Sequence, residues 1–515
     1  MKSSGNYRRR SRRSRGRKSR VVAIAFFIAV AVGVVFAVRS SHSPSGTATP
    51  HGAPTVAILP QVAATPSPAP WTNADRTKLA KDLNSAFAPA IDGADRWSMA
   101  VLSADGRTVY DNRASDWITP ASVLKLIVAA VALDQLGPDR RFHTIMASPR
   151  SIGTDGTIDG NLWLVGSGDP SFTSTDLAGG VGVLARAGLR RVGGRVAVDA
   201  DAMHGPELNP HWDPSDSEED YAAPISAVSI DGDTVEFDVT GTSPGELATV
   251  RINPASDAVT LRGEIRTTSS DGDVTIAPQG TPNTFSVSGT IAAGDKEKYW
   301  LPIKGVPQYA GAVLQRLLSD RGISTAAPAA VQQAPLDTIV LWDHRSASLR
   351  TLEAHMLFLS DNHYAEQLLR AVGRERTGIA TDQSGVATEL RYLSERGIPT
   401  PGLRLNDGSG LAPDDRIAAI TLARVLSDAE LRGGDRSLYL LLPLGGRQGT
   451  LKEYDFTTAL GRVRAKSGHI TGVASLAGYV NTLHHGRVVF AFSINGSPGD
   501  PDAAIVRAIN RIVDL

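Results

Sequence analysis

Strand-like segments stand at both ends of the folded part of this chain. Helical segments lie between them, and a long strand-rich stretch splits the pattern. Near the start, "RWSMAVLSADGRTVYDNRA" (96–114) alternates apolar and polar residues on either side of Asp105-Gly106, the pattern of a β-hairpin. Near the end, "ASLAGYVNTLHHGRVVFAFSIN" (474–495) reads as two strands about a His485-Gly486 turn, and a closing helix follows. Helices are expected over "RTKLAKDLNSAFAPAI" (76–91), "TPASVLKLIVAA" (119–130), "QYAGAVLQRLLSDRG" (308–322) and "LRTLEAHMLFLSDNHYAEQLLRAVGRE" (349–375). From about 144 to 340 the texture changes to short runs such as "NLWLVGSGD", "TVEFDVTG" and "TFSVSGTI", separated by Gly, Asp, Asn and Ser. One helix, near 176–187, interrupts them. The expected fold is therefore α+β. A main domain of residues 72–143 plus 341–515 carries an antiparallel sheet built from both termini and flanked by helices. A largely β insertion, 144–340, of one or two subdomains and with one β-α-β-like portion, divides it.

What precedes residue 72 reads differently. Residues 1–20 hold ten Lys or Arg and no acid, although the whole chain is neutral with 53 basic and 53 acidic residues. The remaining body is therefore acidic, with a net charge near −10. Such a basic tail suits nucleic acid until the next segment is read. Val21–Val38 is 18 residues without a charge, about 27 Å long as a helix, close to the thickness of a bilayer core. Ten cations before it and one Arg after it place the tail in the cytoplasm and the body outside the membrane. The run is long for a signal peptide and "VFAVRSS" lacks a small-x-small cleavage site, so an uncleaved single-pass anchor is preferred to a cleaved signal. Residues 39–71, rich in Pro, Ala, Ser and Thr, form a semi-extended spacer. The chain has no Cys, which excludes disulfides, thiolate metal sites and cysteine nucleophiles.

Chemistry is suggested first at "TPASVLKLIVAA". Thr119 is placed to cap a helix and Pro120 to open it. Ser122 then stands near the helix N-terminus, with Lys125 one turn along the same face. A serine becomes nucleophilic when a base takes its proton, and a lysine serves only if burial or a nearby cation lowers its pKa. Read alone, the pair is equally two polar residues opening an ordinary helix. Two further motifs stand beside it: Ser360-Asp361-Asn362 at a break in a helical stretch, and Lys466-Ser467-Gly468 inside a strand-like run. Ser-x-x-Lys, Ser-x-Asn and Lys-[Thr/Ser]-Gly in this order are the signature of penicillin-binding proteins and serine β-lactamases. Ser493-Ile494-Asn495 and Arg376-Thr377-Gly378 match the loose patterns but not their order and context.

The 238 positions from Ser122 to Ser360 leave room for an insertion far larger than a β-lactamase carries. Together with "LVGSGDPSF" (164–172), "NDGSGLAPDDRI" (406–417) and "SLAGYV" (475–480), they give a chain whose residues 72–515 resemble the D-alanyl-D-alanine carboxypeptidase/endopeptidase family. These are class C penicillin-binding proteins of the peptidase family S13, DacB-like type. The resemblance implies a penicillin-binding/β-lactamase-like transpeptidase fold and a serine-type carboxypeptidase, with endopeptidase action as the second activity it admits. Its substrates are peptidoglycan stem peptides ending in D-Ala-D-Ala, and β-lactams are covalent inhibitors. No cofactor, metal or nucleic acid is implied, and the only other partner is the membrane, through 21–38.

Carried over by position, the resemblance implies that Ser122 attacks the D-Ala–D-Ala carbonyl with Lys125 as proton acceptor. Ser360 relays the proton to the leaving amine, helped by Lys466. Asn362 bonds the substrate backbone. Lys466, Ser467 and Gly468 form the strand motif that receives the terminal carboxylate. The backbone N–H groups of Ser122 and His469 form the oxyanion hole, in which one donor is typically worth about 3–4 kcal/mol. Lys125 is expected beside Lys466, with Ser360 reaching both. Two positions depart from the family pattern. Ser467 stands where Thr is usual, and His469 where a small or hydroxyl residue is commoner. A β-lactamase is the first alternative, but its Glu-x-x-Leu-Asn deacylation motif is absent. A non-catalytic cell-wall-binding relative is the second, and it should lack a catalytic residue; none is lacking here. Gly241-x-Ser243-x-Gly245 is discounted as a nucleophile elbow because no helix follows it. Gly180-Val-Gly182 is discounted as a dinucleotide loop, and His484-His485 reads as a solvated turn rather than a metal site.

Overall fold

The computed structural model describes residues 68–270 and 272–515. The basic tail 1–20, the apolar segment 21–38 and most of the spacer 39–71 lie outside the described residues. Among the described residues no helix is long and apolar enough to cross a membrane. The last spacer residues already belong to the body. Ala69 N donates to His484 O at 2.9 Å, and the Trp71 ring stacks on His485 at 4.2 Å between centroids. His485 is therefore buried in an aromatic contact, not solvated as its place in a turn suggested.

Helix α1 (Asn73–Ile91) starts where a capping box dictates. The Thr72 hydroxyl accepts from Asp75 N, and the Asp75 carboxylate accepts from Thr72 N. The hairpin follows as Arg96–Leu102 and Thr108–Asn112, antiparallel across the Asp105-Gly106 turn. These strands join the C-terminal ones in a five-stranded antiparallel sheet, in the order 108–112, 96–102, 487–495, 473–481, 463–470. The two ends of the chain are thus hydrogen-bonded neighbours, with Arg96 opposite Asn495 and Leu102 opposite Val489. One face of this sheet packs on α1 and the closing helix through Leu79, Leu83, Phe87, Phe492, Ile505 and Ile509. The other face shares an apolar cluster with α2 (Lys125–Gln135), whose first nine residues are all buried. A helix apolar on every side belongs inside, with structure around it.

The insertion opens on a second five-stranded sheet, in the order 330–331, 196–199, 162–166, 143–148, 339–345. Leu162–Gly166 and Val196–Asp199 run parallel, and α3 (Ser174–Arg186) crosses between them as the expected β-α-β portion. Two smaller sheets follow, one centred on Thr234–Thr240 and one on Thr284–Ala292, and then α4 (Val306–Ser319). The expected divisions at 143/144 and 340/341 fall at the start of one strand and within another. His143–Ser148 and Ile339–Arg345 are paired strands of the same sheet, with Arg345 opposite His143, so the insertion leaves and rejoins the chain side by side after Arg345. Gly241–Gly245 is a turn between two strands, and Gly180–Gly182 lies within α3.

Past the insertion come α5 (Leu349–Leu359), α6 (Asn362–Thr377), α7 (Asp382–Glu395), α8 (Ala419–Arg432) and, after the last strands, α9 (Pro501–Val513). Helices α5 to α8 share one apolar cluster with α2, and α8 itself lies against strands 96–102 and 487–495 of the sheet.

Candidate active site

Ser122 does not sit where a simple helix start would put it. Thr119 is not the cap. Its N–H donates to Asn495 Oδ1 at 2.9 Å, its carbonyl accepts from Asn495 Nδ2 at 3.2 Å, and its hydroxyl accepts from Arg416 at 3.0 Å. The chain instead turns through Ala121, at φ 52°, into a short 3-10 turn (Ala121–Leu124), and α2 begins at Lys125. A non-glycine residue in this region costs about 1 kcal/mol or more and persists only when its surroundings impose it. Two glycines supply that constraint. A Cβ on Gly410 would lie 2.1 Å from Ala121 O, and one on Gly468 would lie 2.9 Å from Pro120 O and 3.0 Å from the N atoms of Ser122 and Val123. The Lys-Ser-Gly strand therefore presses its backbone directly against the nucleophile turn, as a glycine inside a strand suggested.

Lys125 is fully buried at the first position of α2. Its Nζ lies 2.9 Å from Ser122 Oγ, 2.6 Å from Asn362 Oδ1 and 2.8 Å from Ser409 O. Burial lowers its pKa, the carboxylates of Asp407, Glu366 and Asp361 oppose that shift, and the balance is about 8. Lys466 is also fully buried, and burial together with the charge of Lys125 holds it well below the ordinary lysine range. Its Nζ donates to Ser360 Oγ at 2.8 Å and to Ser467 O at 2.6 Å. Ser360 occupies the break between α5 and α6 at φ 62°. Asp361 caps α6 by accepting from Tyr364 N at 3.1 Å.

Five of the expected side chains thus converge: Ser122, Lys125, Ser360, Asn362 and Lys466. Three details differ from expectation. Ser360 bonds Lys466 but makes no hydrogen bond to Lys125, so the two lysines communicate by charge and not through the serine. Asn362 is already engaged on both sides, accepting from Lys125 and donating to Tyr221 O at 2.8 Å. The Ser467 hydroxyl donates to Thr450 Oγ1 at 2.8 Å. His469 lines the mouth of the site, with its Nε2 2.8 Å from Asp502 Oδ1. The cleft holds about 550 Å³ and is bounded by Ser122, Ser360, Asn362 and His469, with Asp216 and Tyr221 of the insertion forming one wall.

Several residues around these went unread in the sequence. Glu366 accepts from Gly408 N and Ser409 N, at 3.1 and 2.8 Å, and so sets the carbonyl that receives Lys125. Asp407 accepts from Gly410 N, Ala412 N and the indole of Trp212, at 2.7, 2.8 and 2.9 Å. Glu366 had a findable signal, since it lies one helical turn beyond Asn362 on the same face. Trp212, Tyr221 and Thr450 stand in irregular segments where no period marks them. Among the described residues no group of three or more His, Asp or Glu side chains is arranged to hold a metal.

Residues 79–514 match the model of the D-Ala-D-Ala carboxypeptidase 3 (S13) family. The chain belongs to this family. Membership makes it a serine-type D-alanyl-D-alanine carboxypeptidase. Among its relatives in the S13 family is a D-alanyl-D-alanine carboxypeptidase of Actinomadura sp. (strain R39), 31% identical over 88% of each chain. Another is the carboxypeptidase DacB of Mycolicibacterium smegmatis, 28% identical over 98% of each. The crystal structure of penicillin binding protein 4 (dacB) from Haemophilus influenzae shares the fold, with a TM-score of 0.73 at 24% identity over 83% of this chain and 98% of that one.

Proposed function

We propose that this S13 protein trims peptidoglycan stem peptides by removing their terminal D-Ala through an acyl-enzyme on Ser122. The observation that carries the residue roles is Lys125. Its amine lies 2.9 Å from the Ser122 hydroxyl and has its pKa lowered to about 8, so a neutral lysine is within reach near physiological pH. Neutral Lys125 takes the Ser122 proton as Oγ attacks the carbonyl between the two D-Ala residues. The backbone N–H groups of Ser122 and His469 receive the oxyanion. The C–N bond then breaks as the proton held by Lys125 is handed back to the leaving amine of D-Ala, with Ser360, oriented by Lys466, bonding that amine as it departs. Lys125, neutral again, deprotonates the water that attacks the ester and returns that proton to Ser122 Oγ as the ester C–O bond breaks. A β-lactam enters the same first step, its amide opened by Ser122. Asp213 and Asp216 on the cleft wall favour a stem peptide whose side chain carries a free amine.

Val21–Val38 anchors the chain in the membrane in this reading, with the body on the peptidoglycan side. The ten preceding cations and the lack of charge in the segment support that orientation.

The test is fluorescent-penicillin labelling alongside D-Ala release from a D-Ala-D-Ala pentapeptide, wild type against Ser122→Ala. Labelling and release in the wild type, both lost in the variant, are the expected results. A wild type that neither labels nor releases D-Ala overturns the assignment.

A further inference from the structure

Helix α6 begins at Asn362, and the side chains that follow turn from the cleft to the insertion. His363 is buried, with its Nε2 3.1 Å from Asp233 Oδ2. Asp233 closes the tight turn Asp231–Asp233 of the insertion, is fully buried, and also accepts from Ser229 Oγ at 2.6 Å and Ile230 N at 3.1 Å. One turn along α6, Gln367 donates to the Ser229 hydroxyl at 2.6 Å and to the Ser226 carbonyl at 2.9 Å. The second ring nitrogen of His363 is buried and has no partner among the described residues, so Asp233 is its one hydrogen-bonding contact.

We propose that His363 is a positioning residue for the reaction: its buried ion pair with Asp233 locks the 226–233 segment of the insertion against the start of α6, and so holds Ser360 and Asn362 in register with Lys466 and Lys125. This inference rests on the carboxypeptidase reading above. A neighbour of Asn362 cannot shift without moving Asn362, whose Oδ1 receives the Lys125 amine, or the Ser360 turn two residues behind it. The lock also acts on the cleft wall, because the same insertion carries Tyr221, whose carbonyl bonds Asn362.

The groups facing His363 are nearly all acidic. They are Asp233 on the insertion turn, Asp361 at the cap of α6 and Asp169 in the loop after Leu162–Gly166. His355 stands behind Asp361 at 3.2 Å and His344 behind Asp169 at 3.6 Å, while Asp231 and Tyr309 flank Asp233. Burial opposes a charge on His363, but the Asp233 hydrogen bond and the three carboxylates outweigh it, and the pKa is raised. The imidazole therefore keeps its charge to a higher pH than a free histidine, and the ion pair weakens as pH rises through that raised pKa.

The test measures kcat and KM for D-Ala release, and the rate of fluorescent-penicillin acylation, from about pH 6 to about pH 10. The proteins compared are full-length wild type, Asp233→Asn and His363→Gln. Asp233→Asn leaves the buried imidazole without its counter-charge, and kcat falls roughly ten- to a hundredfold while KM changes little. His363→Gln keeps a donor towards Asp233 without a titrating charge, so the fall of kcat on the alkaline side in the wild type disappears. A residue that merely packs would lower stability without moving that limb. If the wild type reacts and both variants keep its kcat and its pH profile, this inference is overturned and the carboxypeptidase reading stands. If Asp233→Asn does not fold, His363→Gln decides alone, and an unchanged alkaline limb overturns the inference. An unreactive wild type overturns the carboxypeptidase reading and this inference with it.

Discussion

Lys125 must be neutral to act as a base, yet three carboxylates surround it. The balance near 8 leaves roughly a tenth of it neutral at pH 7. Acylation should therefore rise about tenfold per pH unit below that value and stop rising above it, falling again where the His363–Asp233 pair is lost, a profile that stopped-flow labelling with a fluorescent penicillin measures directly. The sign follows from the neutral form being the reactive one; a flat profile from pH 6 to about pH 9 would remove Lys125 from the base role. Lys125→Arg keeps the charge but cannot give up its proton, and should lower acylation by roughly a thousandfold. The reactive residues were legible because Ser-x-x-Lys, Ser-x-Asn and Lys-Ser-Gly are short and ordered. Their supports were not. Asp407 and Glu366 act through backbone N–H groups of one turn, Gly408 to Ala412, and an acid that accepts from backbone looks in sequence like any other acid.

At the scale of elements, local signals read true and tertiary ones did not. The Asp105-Gly106 hairpin is settled by residues within a few positions of each other and stands where its signal pointed, and the capping boxes that start α1 and α3, equally local, went unread. Thr119-Pro120 carried an equally good local signal, yet Asn495, 376 positions away, takes both Thr119 peptide groups and forces the 3-10 turn. The nucleophile's backbone is thus set by strand and loop contacts more than by its own helix. Gly468→Ala tests this. The added Cβ meets three backbone atoms at 2.9–3.0 Å, none of which can rotate away, so either the strand or the Ser122 turn must move. Penicillin acylation should fall roughly a hundredfold, with near-UV circular dichroism little changed, because a displacement of about 1 Å at the reacting groups is enough. Wild-type acylation by this variant would mean that the close approach is incidental.

At the scale of the molecule, the strand-rich insertion was legible from its texture, but its attachments were not. Its ends pair as Arg345 with His143, and Trp212 crosses to Asp407 behind the site, contacts between segments far apart in sequence. Trp212→Phe removes one donor from a buried carboxylate and should cost about 1–3 kcal/mol in denaturant unfolding, a loss too small to unfold the chain. The proposed N-terminal anchor belongs to this scale as well. Every residue assigned to the reaction lies between Ser122 and His469, so neither the basic tail nor Val21–Val38 contributes to the chemistry. The two functions should therefore separate cleanly. Full-length protein should sediment with membranes, resist alkaline washing and dissolve in detergent, as a single apolar span of this length requires. A chain lacking residues 1–67 should be soluble without detergent and take up fluorescent penicillin at the full-length rate. Full-length protein released from membranes by alkaline washing alone would rule out the anchor and favour a cleaved signal. Loss of labelling on truncation would instead show that the spacer contacts at Ala69 and Trp71, already part of the folded body, reach further into the site than their place beside His485 implies.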